Sequence, residues 1–474
     1  MPEAPRIEGL PIPQRYLAAA AISLGTALTT IDGAIATVAL PTIARDLNVD
    51  GSSAVLVVTV YQLVLVMTLL PLSALGDQIG LKRLYQLGQL VFTIATALCF
   101  FAKSLPFLLV VRALQAVGAA AALSVMSALI RSVYPSDKLG RGLGLNSVVA
   151  STAGAVAPTA GGLILGFAPW PWVFAIGAPF GLLSLWLGRS SLPDVPARPG
   201  RYNLAGAILN MATFGLVIAG LEALVHGSSP VVSLAIVAIG IGFGIGLFLH
   251  ERREAAPILP VDLLARPVLA LSTAGALFAF IASMSIILSL PFRLQHSYGL
   301  SPKEIGAMIA PWPLTMMIVA PTAGTLSDRY PAGLLGGIGM VIATIGALLI
   351  AWLPHAPSYA DIAWRMAFTG AGFGLYLSPN ARLIVGSAPR ERAASAGALV
   401  STTRLTGQTA GATLVAALLA LGIGASPTPA LIAAGLTAVA GVLSIARLRP
   451  SVRVPMRGEA QAAEVAARTE FHGA

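Results

Sequence analysis

Two short turns carry the same pattern of residues, Ser73-Ala-Leu-Gly-Asp77-Gln-Ile-Gly80-Leu-Lys82-Arg83 in the first half of the chain and Gly324-Thr-Leu-Ser-Asp328-Arg329 in the second. Each turn follows a long apolar run and places an acidic residue next to basic ones. The offset between Asp77 and Asp328 is 251 positions, so the pattern occurs once in each half of the chain. A duplicated turn in an apolar chain predicts two similar helical halves.

The composition is that of a membrane protein. Of the 474 residues, 56% are hydrophobic and only 10% are charged, and the mean hydropathy is +0.84. A soluble domain does not need so much apolar material, whereas a bundle of membrane helices does. The lipid bilayer is therefore the expected surroundings of most of the chain.

The net charge of +10 suggests a nucleic-acid partner at first, but the positions of the charges argue against one. Of the 29 Lys and Arg residues, 22 fall in alternate loops and in the two tails. This alternation follows the positive-inside rule and predicts a multi-pass protein of the inner (cytoplasmic) membrane with both termini in the cytoplasm. The amino terminus lacks a basic region and a small-residue cleavage site, so no cleaved signal peptide is expected.

A helix needs roughly 20 apolar residues to cross the bilayer. By this measure the sequence predicts an all-α integral membrane protein with fourteen transmembrane helices. The predicted segments are approximately 15–43, 53–75, 83–102, 105–130, 142–167, 172–188, 203–225, 230–250, 266–291, 303–326, 331–353, 361–386, 393–422 and 427–446.

The repeat predicts two pseudo-symmetric six-helix bundles. The amino-terminal bundle would span 1–188 with helices 1–6, and the carboxy-terminal bundle 266–446 with helices 9–14. The offset of the turns also relates Arg15 to Arg266, each at the start of a bundle. Residues 189–265 would then hold linkers and an inserted hairpin of helices 7 and 8, and 447–474 would be a cytoplasmic tail.

Four stretches resemble motifs of the major facilitator superfamily, and specifically of its fourteen-helix drug:proton antiporter branch. Helix 1 carries Asp32 and ends in Ala-Leu-Pro41, similar to the acidic first-helix signature of that branch. The turn at 73–83 resembles the loop 2–3 motif, with Ser73 where glycine is usual. Residues 105–120 resemble the proton-relay motif of helix 4, and helix 5 resembles the antiporter motif. The resemblance implies proton-coupled secondary active transport, with export of drugs or antiseptics as the expected activity.

Asp32 and Arg112 are the candidate proton-coupling residues. A charged side chain in mid-span costs about 3 kcal/mol on insertion scales, so it normally faces a cavity or a partner. A buried carboxylate can bind a proton and release it when a cationic substrate arrives. The alternatives are a carboxyl group that hydrogen-bonds neighbouring hydroxyls for packing and, for Arg112, a structural ion pair. Arg404, also within a span, either acts in the path or snorkels or binds a helix end.

Several other side chains are candidates for substrate binding together with Asp32. Gln115 lies one turn after Arg112 on the same face, where it can share hydrogen bonds. Aromatic rings can stack on a lipophilic cation, a polar amide can line a cavity, and an acid near the outer end of a helix can attract cations. For each, ordinary packing or solvation is the competing interpretation. These candidates are Tyr61, Trp312, Asn380 and Glu222.

Eight residues are predicted to act in gating. In the two duplicated turns, an acid can pair with bases and with a helix amino terminus of the opposite half, which would hold the cytoplasmic side shut. A solvated loop charge is the alternative, but it does not explain the duplication. The resemblance adds three residues of helix 5. The gating candidates are Asp77, Lys82, Arg83, Asp328 and Arg329 in the turns, and Pro158, Gly161 and Gly162 in helix 5.

No pattern of catalytic or metal-binding residues is recognisable. The five His residues lie at span ends or in the tail without metal-ligand spacing, and Cys99 is the single cysteine. We therefore expect no cofactor, no metal and no enzymatic activity. The expected function is export of lipophilic, cationic compounds in exchange for protons by a monomer, through alternating access. The alternatives are transport of a specific metabolite, such as an amino acid, siderophore or sugar, and a membrane sensor that transports nothing.

Overall fold

The computed structural model describes residues 9–135, 138–195, 202–225, 227–252, 261–327, 329–354, 357–387 and 393–449. Within these ranges the chain forms sixteen α-helices and no β-strand. The first seven helices build the amino-terminal half. They are α1 (Gln14–Asp46), α2 (Gly51–Ile79), α3 (Leu81–Leu98), α4 (Leu105–Val133), α5 (Leu139–Phe167), α6 (Pro171–Ala175) and α7 (Ala178–Ser191).

Two helices follow between the halves, and seven more build the carboxy-terminal half. The pair between the halves is α8 (Leu204–Val225) and α9 (Pro230–Glu251). The carboxy-terminal half contains α10 (Pro267–Tyr298), α11 (Pro302–Ile309), α12 (Pro311–Leu326), α13 (Ala332–Ala351), α14 (Tyr359–Ser387), α15 (Ala393–Ala420) and α16 (Thr428–Ala446). Helices α6 and α7 together form one span, and so do α11 and α12.

Twelve spans of the described chain are long and apolar enough to cross a membrane. The predicted segments 361–386 and 393–422 coincide with α14 and α15, which are 29 and 28 residues long but are not among the twelve. Both are more polar: α14 carries Asp361, Arg365 and Arg382, and α15 carries Arg404 and several threonines. The all-helical membrane architecture is therefore confirmed, but the count of fourteen spans is not.

Local signals in the sequence explain where α2 begins and ends. The Asp50 carboxylate caps its amino terminus by accepting hydrogen bonds from the Ser53 amide at 3.1 Å and from the side chains of Ser52 and Ser53. Partial burial raises the pKa of Asp50, but these hydrogen bonds outweigh burial and hold the pKa at about 2. The helix ends at Gly80, whose φ of 98° is unfavourable for a residue with a side chain.

The two halves have separate cores at one face of the bundle and a common core at the other. The described chain begins and ends at the first, which we call the terminal face; Leu10, for example, donates to the Val133 carbonyl at the end of α4. At the terminal face, the cluster around Leu84 and Leu129 belongs to the amino-terminal half alone, and the cluster around Leu269 and Leu399 to the carboxy-terminal half alone.

At the opposite, far face one large cluster contains many residues of both halves. It joins residues of α1 and α2, such as Leu40 and Val58, to residues of α10 and α15, such as Leu288, Phe292 and Val415. A buried apolar contact of this kind keeps water out and stabilises the contact between the halves. The halves are therefore closed against each other at the far face.

Helices α8 and α9 pack against each other, and α8 packs on α2 and α15. Few residues of either helix are buried, such as Ala207 and Ile218 in α8 and Leu247 in α9. The sequence predicts this pair as an inserted hairpin, and the division of the chain at 188, 265 and 446 stays a prediction.

Candidate functional site

A buried acid–arginine–glutamine cluster lies in the middle of the amino-terminal half. Arg112 of α4 donates from Nη1 to Asp32 Oδ2 of α1 at 2.6 Å, and to Gln115 Oε1 at 2.6 Å. Gln115 donates from Nε2 to the other oxygen of Asp32, Oδ1, at 2.8 Å. The side chains of Asp32 and Arg112 are only 7% and 0% exposed. Both carboxylate oxygens of Asp32 are thus bound by side chains of α4.

Neighbouring helices hold the cluster in place. Gln115 Nε2 also donates to Thr96 Oγ1 of α3 at 2.8 Å, and Arg112 Nε donates to the Val57 carbonyl of α2 at 3.2 Å. The guanidinium of Arg112 lies over two aromatic rings, with its carbon 4.2 Å from the ring centre of Tyr61 and 5.0 Å from that of Phe174. Four helices and two aromatic faces therefore stabilise one buried charge pair.

The geometry decides between some of the sequence-based interpretations. Asp32 binds a cation and an amide rather than neighbouring hydroxyls, so the simple packing alternative does not describe it. The ring of Tyr61, predicted to stack on a lipophilic cation, already stacks on Arg112. A buried pair of this kind is compatible with proton coupling and also with a structural ion pair, and both interpretations predict that its loss is costly.

A cavity of about 170 Å³ reaches Asp32 from between α1, α3, α5 and the α6–α7 span. Its lining is apolar apart from Asp32 and Thr96, and Phe92 and Phe174 contribute aromatic surface. Phe180 lines the same cavity and is 51% exposed, so the cavity reaches the outer surface of the bundle. The carboxylate thus lies beside a space that suits an apolar group better than a hydrated one.

Trp312 and Asn380 are not part of this cluster, because both are buried within the carboxy-terminal half. The Trp312 ring is 1% exposed and stacks on Phe373, with ring centres 4.9 Å apart. Asn380 donates to the Ser272 carbonyl at 3.1 Å and accepts a hydrogen bond from Arg447. In this conformation both side chains make packing contacts, and their part in substrate binding stays a prediction.

Glu222 contacts the carboxy-terminal half through a hydrogen bond. Its carboxylate, which is partly buried, accepts a hydrogen bond of 2.7 Å from Thr413 Oγ1 of α15. This contact links α8 to α15. The two interpretations from the sequence, a solvated acid and an acid that attracts cations, did not include it.

The gating candidates of α5 lie where the two halves cross at close range. A Cβ on Gly162 would lie 2.7 Å from the Pro302 carbonyl oxygen of α11, and one on Gly306 would lie 2.6 Å from the Pro158 oxygen. A Cβ on Gly161 would lie 2.8 Å from the side chain of Ile35 in α1. Small residues therefore permit a direct backbone contact between α5 and α11.

In the first duplicated turn, the acid and the bases do not bind each other. Asp77 is exposed and has no hydrogen bond or ion pair with any residue that the structure describes. Lys82 pairs with Asp194, which follows α7, at 3.3 Å, and Arg83 is exposed. In this conformation no described contact of Asp77 holds the terminal face shut.

In the second turn, Asp328 lies outside the described residues, and Arg329 is exposed. Arg382, at the end of α14, donates to the Gly324 carbonyl at 2.7 Å and to Ser327 Oγ at 3.1 Å. Sequence reasoning missed this contact. The signal was present, because the offset of 251 positions relates Arg131, at the end of α4, to Arg382.

Arg404 also lies in the membrane interior. From the sequence it either acts in the path or snorkels or binds a helix end. It lies in α15, and its side chain is exposed although its neighbours in the helix are buried. Thr96 and Phe174 were missed altogether, since neither a threonine nor a phenylalanine stands out in an apolar segment.

Two helical halves, closed against each other at one face and built around a charge pair in the membrane interior, define a multi-pass membrane transport protein. The match to a family model is consistent with this class. The model of the Major Facilitator Superfamily matches residues 22–412 and 272–471, and the chain belongs to this family.

Similar proteins include transporters whose names refer to different substrates. The chain is 42% identical to the uncharacterized transporter YebQ of Escherichia coli (strain K12) over 87% of this chain and 91% of that one. It is 29% identical to the riboflavin transporter RibZ of Clostridioides difficile (strain 630), over 82% of this chain and 85% of that one. It is also 29% identical to the multidrug resistance protein Stp of Mycobacterium tuberculosis (strain CDC 1551 / Oshkosh), over 86% and 76%.

Proposed function

We propose that this transporter exports lipophilic, cationic compounds in exchange for protons, as a member of the fourteen-helix drug:proton antiporter branch. The observation that carries the proposal is the buried contact of Asp32 with Arg112 and Gln115 beside an apolar cavity. An intramembrane acid with a defined partner is characteristic of proton relays. The similarity to Stp, a multidrug resistance protein, supports export of drugs.

In this mechanism a proton and a substrate compete for the Asp32 carboxylate. A proton on Asp32 removes the negative charge that faces Arg112. Arg112 then keeps the Val57 carbonyl, Gln115 and the faces of Tyr61 and Phe174 as partners, which reduces the cost of leaving it without a counter-charge. The contact between α1 and α4 weakens, and this is a structural change that the coupled movement of the halves can use.

We propose further that the terminal face lies in the cytoplasm of the cell and that the structure represents an inward-facing state of a monomer in the inner membrane. The basic residues of alternate loops support this orientation by the positive-inside rule. The common core at the far face and the separate cores at the terminal face support the inward-facing assignment. The α5–α11 crossing would then be the outer gate.

A proteoliposome experiment tests the proposal. Purified protein is reconstituted, a pH gradient is imposed, and movement of the monovalent dye ethidium is followed by fluorescence. We expect gradient-driven movement with the wild type and with Asp46→Asn, the matched control, because Asp46 is an exposed acid at the end of the same helix. Asp32→Asn should show none. Absence of gradient-driven movement of any lipophilic cation with the wild type would refute the proposal.

Transport of a specific metabolite is the second candidate function, and the similarity to RibZ favours it. The two candidate functions predict different results when several compounds compete for transport. Many unrelated dyes should inhibit one another's transport by a multidrug exporter, whereas a metabolite transporter should be inhibited by one chemical family only.

A further inference from the structure

Arg404 is a charged residue in the interior of α15. Among the residues of this helix from Ala396 to Leu419, it alone has an exposed side chain. Arginine in the middle of a membrane helix is costly and normally faces a partner or a water-filled cavity. The residues packed around Arg404 show whether it faces a partner or a cavity.

The contacts of α15 show that Arg404 faces the cleft between the two halves. Leu405 packs against α2 of the amino-terminal half in a cluster with Tyr61, and Gly407 lies against Phe280 of α10 in the carboxy-terminal half. Thr413, which contacts α8, is nine positions from Arg404, or about two and a half helical turns, and lies on the opposite side of α15. Arg404 thus points away from α8 and between α2 and α10.

No acid balances Arg404 within the described chain. It has no hydrogen bond and no ion pair with any described residue. Of the acids in α1, α2, α10 and α15, Asp46 and Asp77 are exposed near helix ends, and Asp32, which lies mid-helix, is bound by Arg112. Tyr61 of α2 lies in the same cluster as Leu405, the residue that follows Arg404. Tyr61 is 4% exposed, and its hydroxyl has no hydrogen-bond partner among the described residues.

These groups form a site that is rich in hydrogen-bond donors and contains no acid. The guanidinium supplies a fixed positive charge and several N–H donors, and the Tyr61 hydroxyl supplies one more. A carboxylate satisfies such a set of donors well. The guanidinium of Arg112 lies over the face of the same Tyr61 ring, so Tyr61 lies beside the Asp32–Arg112 pair.

We propose that Arg404 and the Tyr61 hydroxyl bind the carboxylate of the substrate, and that the preferred substrates are lipophilic zwitterions rather than simple cations. The cationic end of such a molecule would approach Asp32, and its carboxylate would approach Arg404. The inference rests on the proposed function, because it takes the cleft between the halves as the transport path. It also explains how a site with one more positive than negative charge accepts a cationic group.

Equilibrium binding of two matched dyes tests this inference. Rhodamine 110 carries a cationic xanthene and a free carboxylate, and rhodamine 123 is its methyl ester, without the negative charge. Binding of each dye to the purified full-length protein is measured by fluorescence anisotropy at neutral pH. The variants are Arg404→Gln, Arg404→Lys and Tyr61→Phe, with Gln408→Ala as the control, since Gln408 lies one turn later on the same face.

The wild type should bind rhodamine 110 more tightly than rhodamine 123. Arg404→Gln should weaken binding of rhodamine 110 by roughly 10- to 100-fold, the usual range for a lost charge-assisted hydrogen bond, and change binding of rhodamine 123 little. Unchanged binding of rhodamine 123 also shows that the variant is folded. Arg404→Lys should retain part of the preference, Tyr61→Phe should reduce it, and Gln408→Ala should leave it intact.

Three results would overturn the inference: no preference for rhodamine 110 in the wild type, equal loss of both dyes in Arg404→Gln, or no loss of either. Transport is scored separately in proteoliposomes with a pH gradient. A preference for rhodamine 110 without gradient-driven movement of either dye would refute the proposed function and leave the site standing. Gradient-driven movement of rhodamine 123 without tighter binding of rhodamine 110 would refute the carboxylate site and leave the proposed function standing.

Discussion

Arg112 and Asp32 form an ion pair in which both side chains are buried, with 0% and 7% of their surfaces exposed. Three other ion pairs each include a partner that is more than a third exposed: Arg45–Asp46, Lys82–Asp194 and Arg365–Asp361. Burial makes the first pair sensitive to the loss of one partner, because the remaining charge is left in a medium of low dielectric constant.

We therefore predict that Arg112→Met destabilises the protein by about 3–5 kcal/mol, the usual cost of breaking a buried pair by removing one partner. Thermal unfolding in detergent, followed by loss of the monodisperse peak, measures the change. The double variant Asp32→Asn/Arg112→Met should recover much of the stability, because it leaves no unpaired charge. Arg45→Met, which breaks the exposed pair, should change stability little. If the costs of Asp32→Asn and Arg112→Met simply added in the double variant, the pair would not be energetically coupled.

A second prediction concerns the driving force of transport. Asp32 is the single acid that the structure places at the charge pair, so the simplest stoichiometry is one proton per monovalent cation, which moves no net charge. A pH gradient alone, worth about 1.4 kcal/mol per pH unit, should then drive transport. A membrane potential alone, worth about 2.3 kcal/mol per 100 mV for each charge moved, should not.

Proteoliposomes with independently set proton and potassium gradients separate these two driving forces. Asp32→Glu keeps the titratable group but displaces it by one methylene, so we expect partial activity. Transport driven by potential alone would require a different stoichiometry. Full transport of a monovalent dye by Asp32→Asn would move the coupling to another group, such as the surroundings of Arg112 or Glu222.

Much of the helical architecture follows from the sequence, because hydropathy and the 251-residue offset depend on composition and order alone. The contact of Asp32 with Arg112 is also accessible from sequence, since two opposite charges within apolar segments of one bundle are expected to meet. The contacts of Thr96 and Phe174 with this pair cannot be predicted from the sequence, because they depend on how α3 and α6 are rotated against α4. For Trp312 the residue type alone leaves substrate stacking and packing open. The contact with Phe373 depends on Gly370, which permits a close approach of α12 to α14 that the sequence does not reveal.

A third prediction concerns Asp77, which is exposed and unbound by any described residue in the present conformation. If it acts as a latch in the state that is closed at the terminal face, it contributes to switching and not to substrate affinity. Asp77→Asn should reduce transport strongly and leave equilibrium binding of a fluorescent substrate within a few-fold of the wild type. Asp194→Asn, which removes the exposed partner of Lys82, is the control and should retain transport. Binding that falls in parallel with transport would contradict the latch assignment.

The fourth prediction concerns the crossing of α5 and α11 at Gly162. Here a Cβ would lie 2.7 Å from the Pro302 carbonyl oxygen and 3.1 Å from the α-carbon of Gly306. Both are backbone atoms, so the contact can be relieved only by moving the helices apart. Gly162→Ala should therefore destabilise closure of the far face and shift the protein towards a state open at that face.

Distances between spin labels on the far-face ends of α5 and α11, measured by pulsed electron paramagnetic resonance, report this shift. The control is Gly154→Ala in the same helix, where a Cβ would meet Thr30 at an ordinary contact distance of 3.6 Å. That variant should leave the distance distribution unchanged, and it should not weaken α5, because alanine is the better helix former by about 1 kcal/mol. If Gly162→Ala also left the distribution unchanged, the α5–α11 contact would not control closure, and the gate would lie instead in the apolar core shared by α1, α10 and α15.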